Sequence, residues 1–373
     1  MEMSATFSQA LFNLFVWGIL FIIVKKAFHH PFRHNKLDRN IIVLLILLFC
    51  LFPFFGGDYF HYREMYNEYN MGGFIPLEGV YKWIIANLSF SYLSFRLIVW
   101  GSALLILFKA YRRVDVPFDL TIALFASMFM IWFSYARVSL AMAMILLGLT
   151  FIVKSYKKKH VLSVIMGICF ILCSEAFHRS AIIGIIAAIG SLFLINTNKR
   201  HLMLIGLFFP LAIMLLNNLL NEFMTVELDY DSYISRNQRD VYLNDAVSGR
   251  QTRGVGELIS NILTRTPIFL TAFLYIYSVF KNKFKLLPKE VRCIASYSFL
   301  IVLIALAFTF DFGVNTYVLY YRTLTFAMIP SAVFLAAAKY YHIGERIATF
   351  IIYLAVSGVV YTLLYSTYCA IVG

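Results

Sequence analysis

The stretch FDLTIALFASMFMIWFSYARVSLAMAMILLGLTFIV, residues 118–153, decides the fold of this protein. Its only charged residues are Asp119, near its start, and Arg137, in its middle. A helix that crosses the hydrocarbon core of a bilayer needs about 20 mainly apolar residues. The runs 118–134 and 138–153 come close to that length, and almost no loop separates them. The stretch therefore predicts a tight hairpin of two membrane-spanning helices.

The composition of the whole chain agrees with this interpretation. Of 373 residues, 61% are apolar and 14% are charged. Soluble domains carry about a quarter charged and roughly 45–50% apolar residues. Because so many apolar residues cannot all be buried in a water-facing globule, lipid must be the solvent for most of the surface. The composition excludes a soluble enzyme, a disordered protein and a nucleic-acid binder, despite the net charge of +13.

Apolar runs recur along the chain and divide it into candidate spans. They are residues 8–24, 40–55, 92–108, 118–134, 138–153, 161–177, 180–196, 202–219, 258–280, 293–310, 322–338 and 347–369. With no internal repeat and no low-complexity linker, the sequence predicts a single membrane domain over residues 1–373. The predicted fold class is an all-α polytopic membrane protein with about 12 transmembrane helices.

Loop charges predict how these helices are oriented. Alternate loops on one side hold 21 basic and 5 acidic residues, and the other side holds 11 basic and 14 acidic residues. Since cytoplasmic loops carry an excess of Lys and Arg, the basic side should be cytoplasmic. The outward side would then include the segment 220–257, a loop of about 37 residues, long enough to be functional.

The type of base differs between the two sides. Lysine supplies 14 of the 21 inside, whereas outside only Lys82 is a lysine and the rest are arginines. The planar guanidinium binds phosphate oxygens in pairs, so outward arginines indicate a phosphate-bearing ligand. The alternative is that these arginines pair with outward carboxylates.

Aromatic residues mark the first outward loop. Tyr59, Tyr62, Tyr66 and Tyr69 recur at helical spacing and form one stripe directly after Asp58. Such a stripe is either an interfacial aromatic belt or a surface that stacks on sugar, with Asp58 binding a hydroxyl group.

Short hairpins place further charged residues at the outward membrane edge. Arg137 in the first is costly unless it faces a cavity, a partner or the interface. In the second, Glu175 precedes His178 and Arg179 by three and four residues, so a continuing helix would place Glu175 beside both. Glu175 would then orient His178, or pair with Arg179 alone.

The segment 220–257 carries Arg250 and Arg253 in a flexible stretch suited to closing over an anion. Its Asp229-Tyr230-Asp231 is too short to specify a metal site, and we predict neither a metal nor a cofactor. The chain has no nucleotide-binding motif, so cytoplasmic nucleotides are not expected to supply energy.

Several outward motifs resemble the EpsG-like family of Wzy-type polysaccharide polymerases. They are Gly57-Asp58-Tyr59, Glu78-Gly79-Val80-Tyr81, Arg137 with Leu140-Ala141, Phe177-His178-Arg179-Ser180-Ala181 and Tyr320-Tyr321-Arg322. Their order and their shared outward placement, from about residue 50 to 335, carry the resemblance.

The resemblance implies a multi-pass protein of the bacterial inner membrane with a periplasmic active face. Its fold would be similar to GT-C glycosyltransferases and O-antigen ligases. It would join undecaprenyl-diphosphate-linked oligosaccharide units into O-antigen, capsule or exopolysaccharide. The partners implied are that lipid-linked substrate, membrane lipids and a chain-length-regulating membrane protein, without nucleic acid.

The chemistry of this transfer assigns roles to the outward residues, as a hypothesis. The catalytic residues would be Asp58, His178 and Arg137; the diphosphate would be bound by Arg137, Arg322 and one of Arg250 or Arg253; sugar would be bound by Tyr59, Tyr62, Tyr66 and Tyr321. Arginine would stabilise the leaving diphosphate, and a carboxylate or imidazole would orient or deprotonate the acceptor hydroxyl.

Two other functions remain open from sequence. A ligase would move the finished glycan to another lipid or protein. A flippase or transporter of the lipid-linked glycan would require a charged path through the membrane, whereas the charges here cluster at the helix ends.

Overall fold

The computed structural model describes residues 36–52, 57–73, 77–128, 136–158, 160–178, 180–209, 255–309 and 316–372, together with a few residues before 36 and after 209. Within these ranges the chain consists of α-helices and short 3-10 turns and contains no strand.

The described helices differ in length and in their relation to the membrane. They are α1 (Lys36–Leu51), α2 (Gly57–Asn70), α3 (Gly79–Asn87), α4 (Tyr92–Arg112), α5 (Phe118–Met128), α6 (Ala136–Lys158), α7 (Val161–Cys173), α8 (Ala181–Phe193), α9 (Val255–Phe280), α10 (Lys289–Thr309), α11 (Thr316–Tyr340) and α12 (Glu345–Val372). Residues 199–209 form a further helical segment. The polar α2 and the nine-residue α3 are not spans.

Six helices in the described ranges are long and apolar enough to cross a membrane. They are Tyr92–Arg112, Val138–Ser155, Ile262–Phe280, Lys289–Ala307, Thr323–Tyr340 and Glu345–Tyr365. Each coincides with a predicted run, which confirms an all-helical polytopic membrane protein. The runs 161–177 and 180–196 form shorter apolar helices. Parts of the runs 8–24 and 202–219 and the end of 118–134 lie outside the described residues, so the count of 12 stays a prediction.

The helices pack around α6 and α11. Of the Val138–Ser155 window 94% is buried inside the protein, against 39% for Glu345–Tyr365. Helices α4 and α7 pack against α6, α10 packs against α11, and α9 packs against α12. The side chains of α12 that face away from α9, α5 and α11 are therefore left for lipid.

Loops predicted to be cytoplasmic meet at one end of the bundle, which we call the basic end. The Tyr341 hydroxyl donates to the Asp115 carbonyl at 2.7 Å, and Lys154 Nζ lies 3.7 Å from the Asp115 carboxylate. Arg292 donates to Asn196 Oδ1 at 3.0 Å. Burial raises the pKa of the Tyr341 phenol, which keeps it protonated as the donor. The sorting of loops predicted from charge therefore agrees with the packing.

Candidate functional site

Arg96, near the start of α4, lies at the opposite end, which we call the outward end. Its Nε donates to the Leu51 carbonyl at 3.1 Å, and its Nη2 donates to the Cys50 carbonyl. Its Nη1 donates to the Tyr92 hydroxyl at 3.2 Å. The last carbonyls of a helix lack partners within the helix and carry partial negative charge, so a cation there is stabilising. Arg96, only 2% exposed, thus caps α1.

Aromatic rings form a packed layer beside this cap. Tyr66 of α2 lies 5.9 Å from Tyr92 and 6.0 Å from Phe95, measured between ring centroids. Tyr81 of α3 lies 6.3 Å from Phe95 and 6.1 Å from Phe177. This outward aromatic layer joins α2, α3 and α4 to the hairpin between α7 and α8.

The predicted tyrosine stripe contributes to this layer. The helix predicted from its spacing is confirmed as α2. Tyr62 and Tyr66 are only 9% and 6% exposed, because both face the protein. Packing is therefore a role of these two residues, and sugar binding by them stays a prediction.

His178 lies in the hairpin between α7 and α8 and is 8% exposed. The chain leaves α7 through a 3-10 turn over Ser174–Ala176, so the helix does not continue through Glu175. Glu175 is exposed, and the continuing helix that would place it beside His178 does not form, so an orienting role for Glu175 stays a prediction. Instead the Ser180 backbone N–H donates to His178 Nδ1 at 3.1 Å, and the Ser180 hydroxyl lies 2.5 Å from Nδ1.

These contacts indicate which ring nitrogen carries the proton when His178 is neutral. A backbone N–H is only a donor, so Nδ1 must accept and holds a lone pair. The proton of the neutral imidazole then lies on Nε2. In this state Nε2 carries the proton and cannot accept a second one. Its geometry suits binding an oxygen atom, whereas the sequence had left orientation and deprotonation both open.

Three helices begin at the outward end and converge below it. A methyl group added at Gly184 of α8 would lie 2.6 Å from Ile145 Cδ1 of α6 and 3.1 Å from Phe326 Cδ1 of α11. The C-terminal ends of all three helices lie at the basic end, so α6, α8 and α11 run parallel. Their N-termini, which carry partial positive charge, therefore gather at the outward end.

This convergence places three predicted site residues on neighbouring helices. Arg137 lies eight residues before Ile145, and Arg322 lies four residues before Phe326. At 1.5 Å per residue, their backbones are about 12 Å and 6 Å further out than the contact. His178 precedes Gly184 by six residues. The backbones of Arg137, His178 and Arg322 thus lie at one end of a three-helix junction.

A further outward arginine is buried near this junction. Arg265 of α9 is 8% exposed, and its guanidinium lies 5.8 Å from the ring centroid of Tyr320. The Tyr320 ring in turn stacks on Phe269 at 6.3 Å. Sequence reasoning counted Arg265 among the outward arginines but gave it no role. Arg265 therefore joins α9 to the start of α11.

The side chains of several predicted site residues lie outside the described part of the structure. The backbones of Asp58 and Tyr59 lie in the first turn of α2, that of Arg137 at the start of α6, and those of Tyr321 and Arg322 in α11, but their side chains lie outside the described residues. Arg179, Arg250 and Arg253 lie outside them entirely. Their roles stay predictions.

Ser180 and Arg96 have structural roles that we did not predict, and only the role of Ser180 has a signal in the sequence. Ser180 follows His178 by two residues, a spacing at which a side chain reaches a neighbouring backbone N–H. Arg96 lies in the first turn and a half of α4, after the capping box of Ser91 and Ser94. No pattern in the sequence pairs Arg96 with the end of α1.

Comparison with known proteins identifies the family. No curated protein and no solved structure matches the chain. Residues 40–371, which include helices α1 to α12 except the first turn of α1 and the last residue of α12, match the EpsG family. The chain therefore belongs to the EpsG family of Wzy-like polysaccharide polymerases.

Proposed function

We propose that this protein joins undecaprenyl-diphosphate-linked oligosaccharide repeat units at the periplasmic face of the bacterial inner membrane. The glycan would move from its lipid diphosphate to a hydroxyl group of the acceptor sugar. Membership of the family supports polymerisation, and the lipid diphosphate, the face of the membrane and the residue roles are the proposed part.

The observation that carries the proposal is the junction of α6, α8 and α11. It brings together the backbones of Arg137, His178 and Arg322, with three helix N-termini at the same end. Negative charge develops on the leaving diphosphate during transfer. Arginines and helix N-termini aimed at that charge stabilise the transition state more than the ground state.

Each residue has a distinct role in the proposed mechanism. Arg137, Arg322 and one of Arg250 or Arg253 bind the diphosphate. His178 donates from Nε2 to an oxygen of the diphosphate or of the acceptor, and Asp58 orients or deprotonates the acceptor hydroxyl. The sugar contacts are Tyr59, Tyr62, Tyr66 and Tyr321, with Tyr62 and Tyr66 using their hydroxyl groups because their rings are buried.

The architecture that we propose around this site has about 12 spans and is GT-C-like or O-antigen-ligase-like. The loop 220–257 would lie in the periplasm and close over the diphosphate, and a chain-length-regulating membrane protein would be a partner. The site uses arginine in place of a metal and needs no cofactor.

The proposal predicts that Arg137→Ala abolishes most polymerisation. Loss of one donor to a developing anion lowers a rate by about 100-fold or more. The measurement is the glycan ladder from cells that lack the gene and carry either the wild type or a variant. Arg346→Ala, an exposed arginine of α12 at the basic end, is the matched control and should restore the ladder.

Three results would contradict the assignment in different ways. A normal ladder with Arg137→Ala would remove Arg137 from the site. Long lipid-linked chains that accumulate without transfer in the deletion strain would favour a ligase. Units trapped on the cytoplasmic face would favour a flippase.

A further inference from the structure

An apolar groove of about 220 Å³ lies toward the basic end, far from the outward residues. It is lined by Leu202, Met203 and Phe209 of the segment 199–209, Ile276 and Phe280 of α9, and Leu303 of α10. Gly206 lies in its wall, where a methyl group would meet no atom within 4 Å. The groove is therefore open space between the segment 199–209, α9 and α10.

The chemistry of the lining limits what can occupy the groove. All its side chains are apolar, so neither a sugar nor a phosphate would find a hydrogen-bond partner inside it. Met203 is 62% exposed and Phe280 is 42% exposed, so the groove opens sideways toward the bilayer. A hydrocarbon chain entering from the membrane is the occupant that fits.

Positive charge borders the basic end of the groove. The five exposed cations there are Lys199, Arg200, Lys281, Lys283 and Lys285. Lys199 lies on the same helix face as Leu202 and Met203, one turn away, because residues three and four apart share a face. Lys281 directly follows Phe280 in the sequence.

No acidic residue compensates these cations locally. Residues 197–209 and 276–289 contain neither Asp nor Glu. Two other lysines at the basic end do have carboxylate neighbours: Lys154 lies 3.7 Å from Asp115 and Lys339 lies 3.6 Å from Glu345. Within the described residues none of the five groove cations forms such a pair. A ligand that fits both the groove and the cations therefore has an apolar chain and a negatively charged headgroup.

We propose that this groove binds an anionic phospholipid of the leaflet at the basic end. One acyl chain lies between the segment 199–209 and α9, and the headgroup phosphate lies against the five cations. Basic pockets between transmembrane helices on the cytoplasmic side recognise lipids of this kind. The site is separate from the proposed catalytic end and does not depend on the polymerase mechanism.

The test uses the purified full-length protein in detergent and measures lipid binding by native mass spectrometry. Phosphatidylglycerol is compared with phosphatidylcholine of the same acyl chains. We expect phosphatidylglycerol to bind at least about tenfold more tightly, since each cation near the surface adds attraction for an anionic lipid. Equal affinities for the two lipids would overturn the proposal.

Two variants test separately what the groove and the cations contribute to lipid binding. Gly206→Leu fills the groove, and its control is Gly101→Leu in α4, where a methyl group also meets no atom within 4 Å. Lys199→Gln with Arg200→Gln removes two groove cations, and its control is Lys109→Gln with Arg346→Gln, two exposed cations elsewhere. Each groove variant should weaken phosphatidylglycerol binding about tenfold or more, and each control should leave it unchanged.

Other outcomes would overturn the proposal even if the lipid binds. If both charge variants weaken binding equally, the lipid is attracted by net charge and not by this site. If a polyprenyl phosphate displaces phosphatidylglycerol at a lower concentration, the groove holds the isoprenoid chain. Since Gly206→Leu could hinder folding, the charge variants provide an independent answer.

Discussion

At the scale of single residues, Ser180 is the positioning residue for His178. Its backbone N–H and hydroxyl both contact Nδ1, and the hydroxyl is the part that a substitution can remove. Ser180→Ala should lower the polymerisation rate about fivefold, since one hydrogen bond contributes on the order of 1 kcal/mol to holding the ring. The measurement is in vitro extension of lipid-linked units by purified protein.

The control for this prediction is a threonine at the same position. Ser180→Thr keeps the hydroxyl group and should extend glycans at close to the wild-type rate, whereas a purely structural role for the small side chain would make threonine worse than alanine. Wild-type rates with Ser180→Ala would show that the backbone N–H alone orients the ring.

Residue types predicted the kind of chemistry better than they predicted the role of each residue. The contrast of outward arginine with inward lysine indicated an anion site, yet Arg96 caps α1 through two backbone carbonyls. Arg96 lies 45 residues after Leu51 and 46 residues after Cys50, so no sequence pattern near Arg96 specifies these contacts. The helix expected through Glu175 does not form, for a related reason: the spacing assumed a continuing helix where a 3-10 turn forms.

At the scale of helices, α6 and α7 pack closely against each other at two glycines. A methyl group at Gly148 would lie 2.6 Å from the Gly167 carbonyl oxygen, and one at Gly167 would lie 2.8 Å from the Gly148 carbonyl oxygen. Small residues let helix backbones pack closely in membranes. Gly148→Ala should therefore push the helices apart and destabilise the fold by about 1–3 kcal/mol.

The matched control for Gly148→Ala is Gly101→Ala in α4, another helical glycine, where a methyl group has open space. The thermal midpoint of the purified protein should fall for Gly148→Ala and stay the same or rise for Gly101→Ala. A loss of equal size in both variants would attribute the effect to glycine in general and not to the contact.

Which elements could be predicted depended on the strength of their pattern. Six long apolar runs became the six described spans, and the tyrosine spacing predicted α2. The nine-residue α3 was missed, since it has only two and a half turns and no apolar run of membrane length. It is held in place by Tyr81, which packs against Phe95 and Phe177.

At the scale of the whole molecule, charge and packing sort the chain into the same two ends. Loops assigned to one side by charge alone meet through Asp115, Lys154 and Tyr341. The sequence placed the candidate site residues at the other end, because they lay among the arginines. Its grouping on α6, α8 and α11 could not, because the contact at Gly184 depends on how distant helices pack.

The orientation of the molecule in the membrane is the last prediction. Translocating lysines is disfavoured, so the basic end should be cytoplasmic and the outward end periplasmic. Asn67 on α2 and Lys285 after α9 are both exposed and lie at opposite ends. In a variant with the five native cysteines replaced by alanine, Asn67→Cys should react with a membrane-impermeant maleimide in intact cells. Lys285→Cys should react only after lysis, and the reverse pattern would place the arginine-rich end, and the proposed transfer, in the cytoplasm.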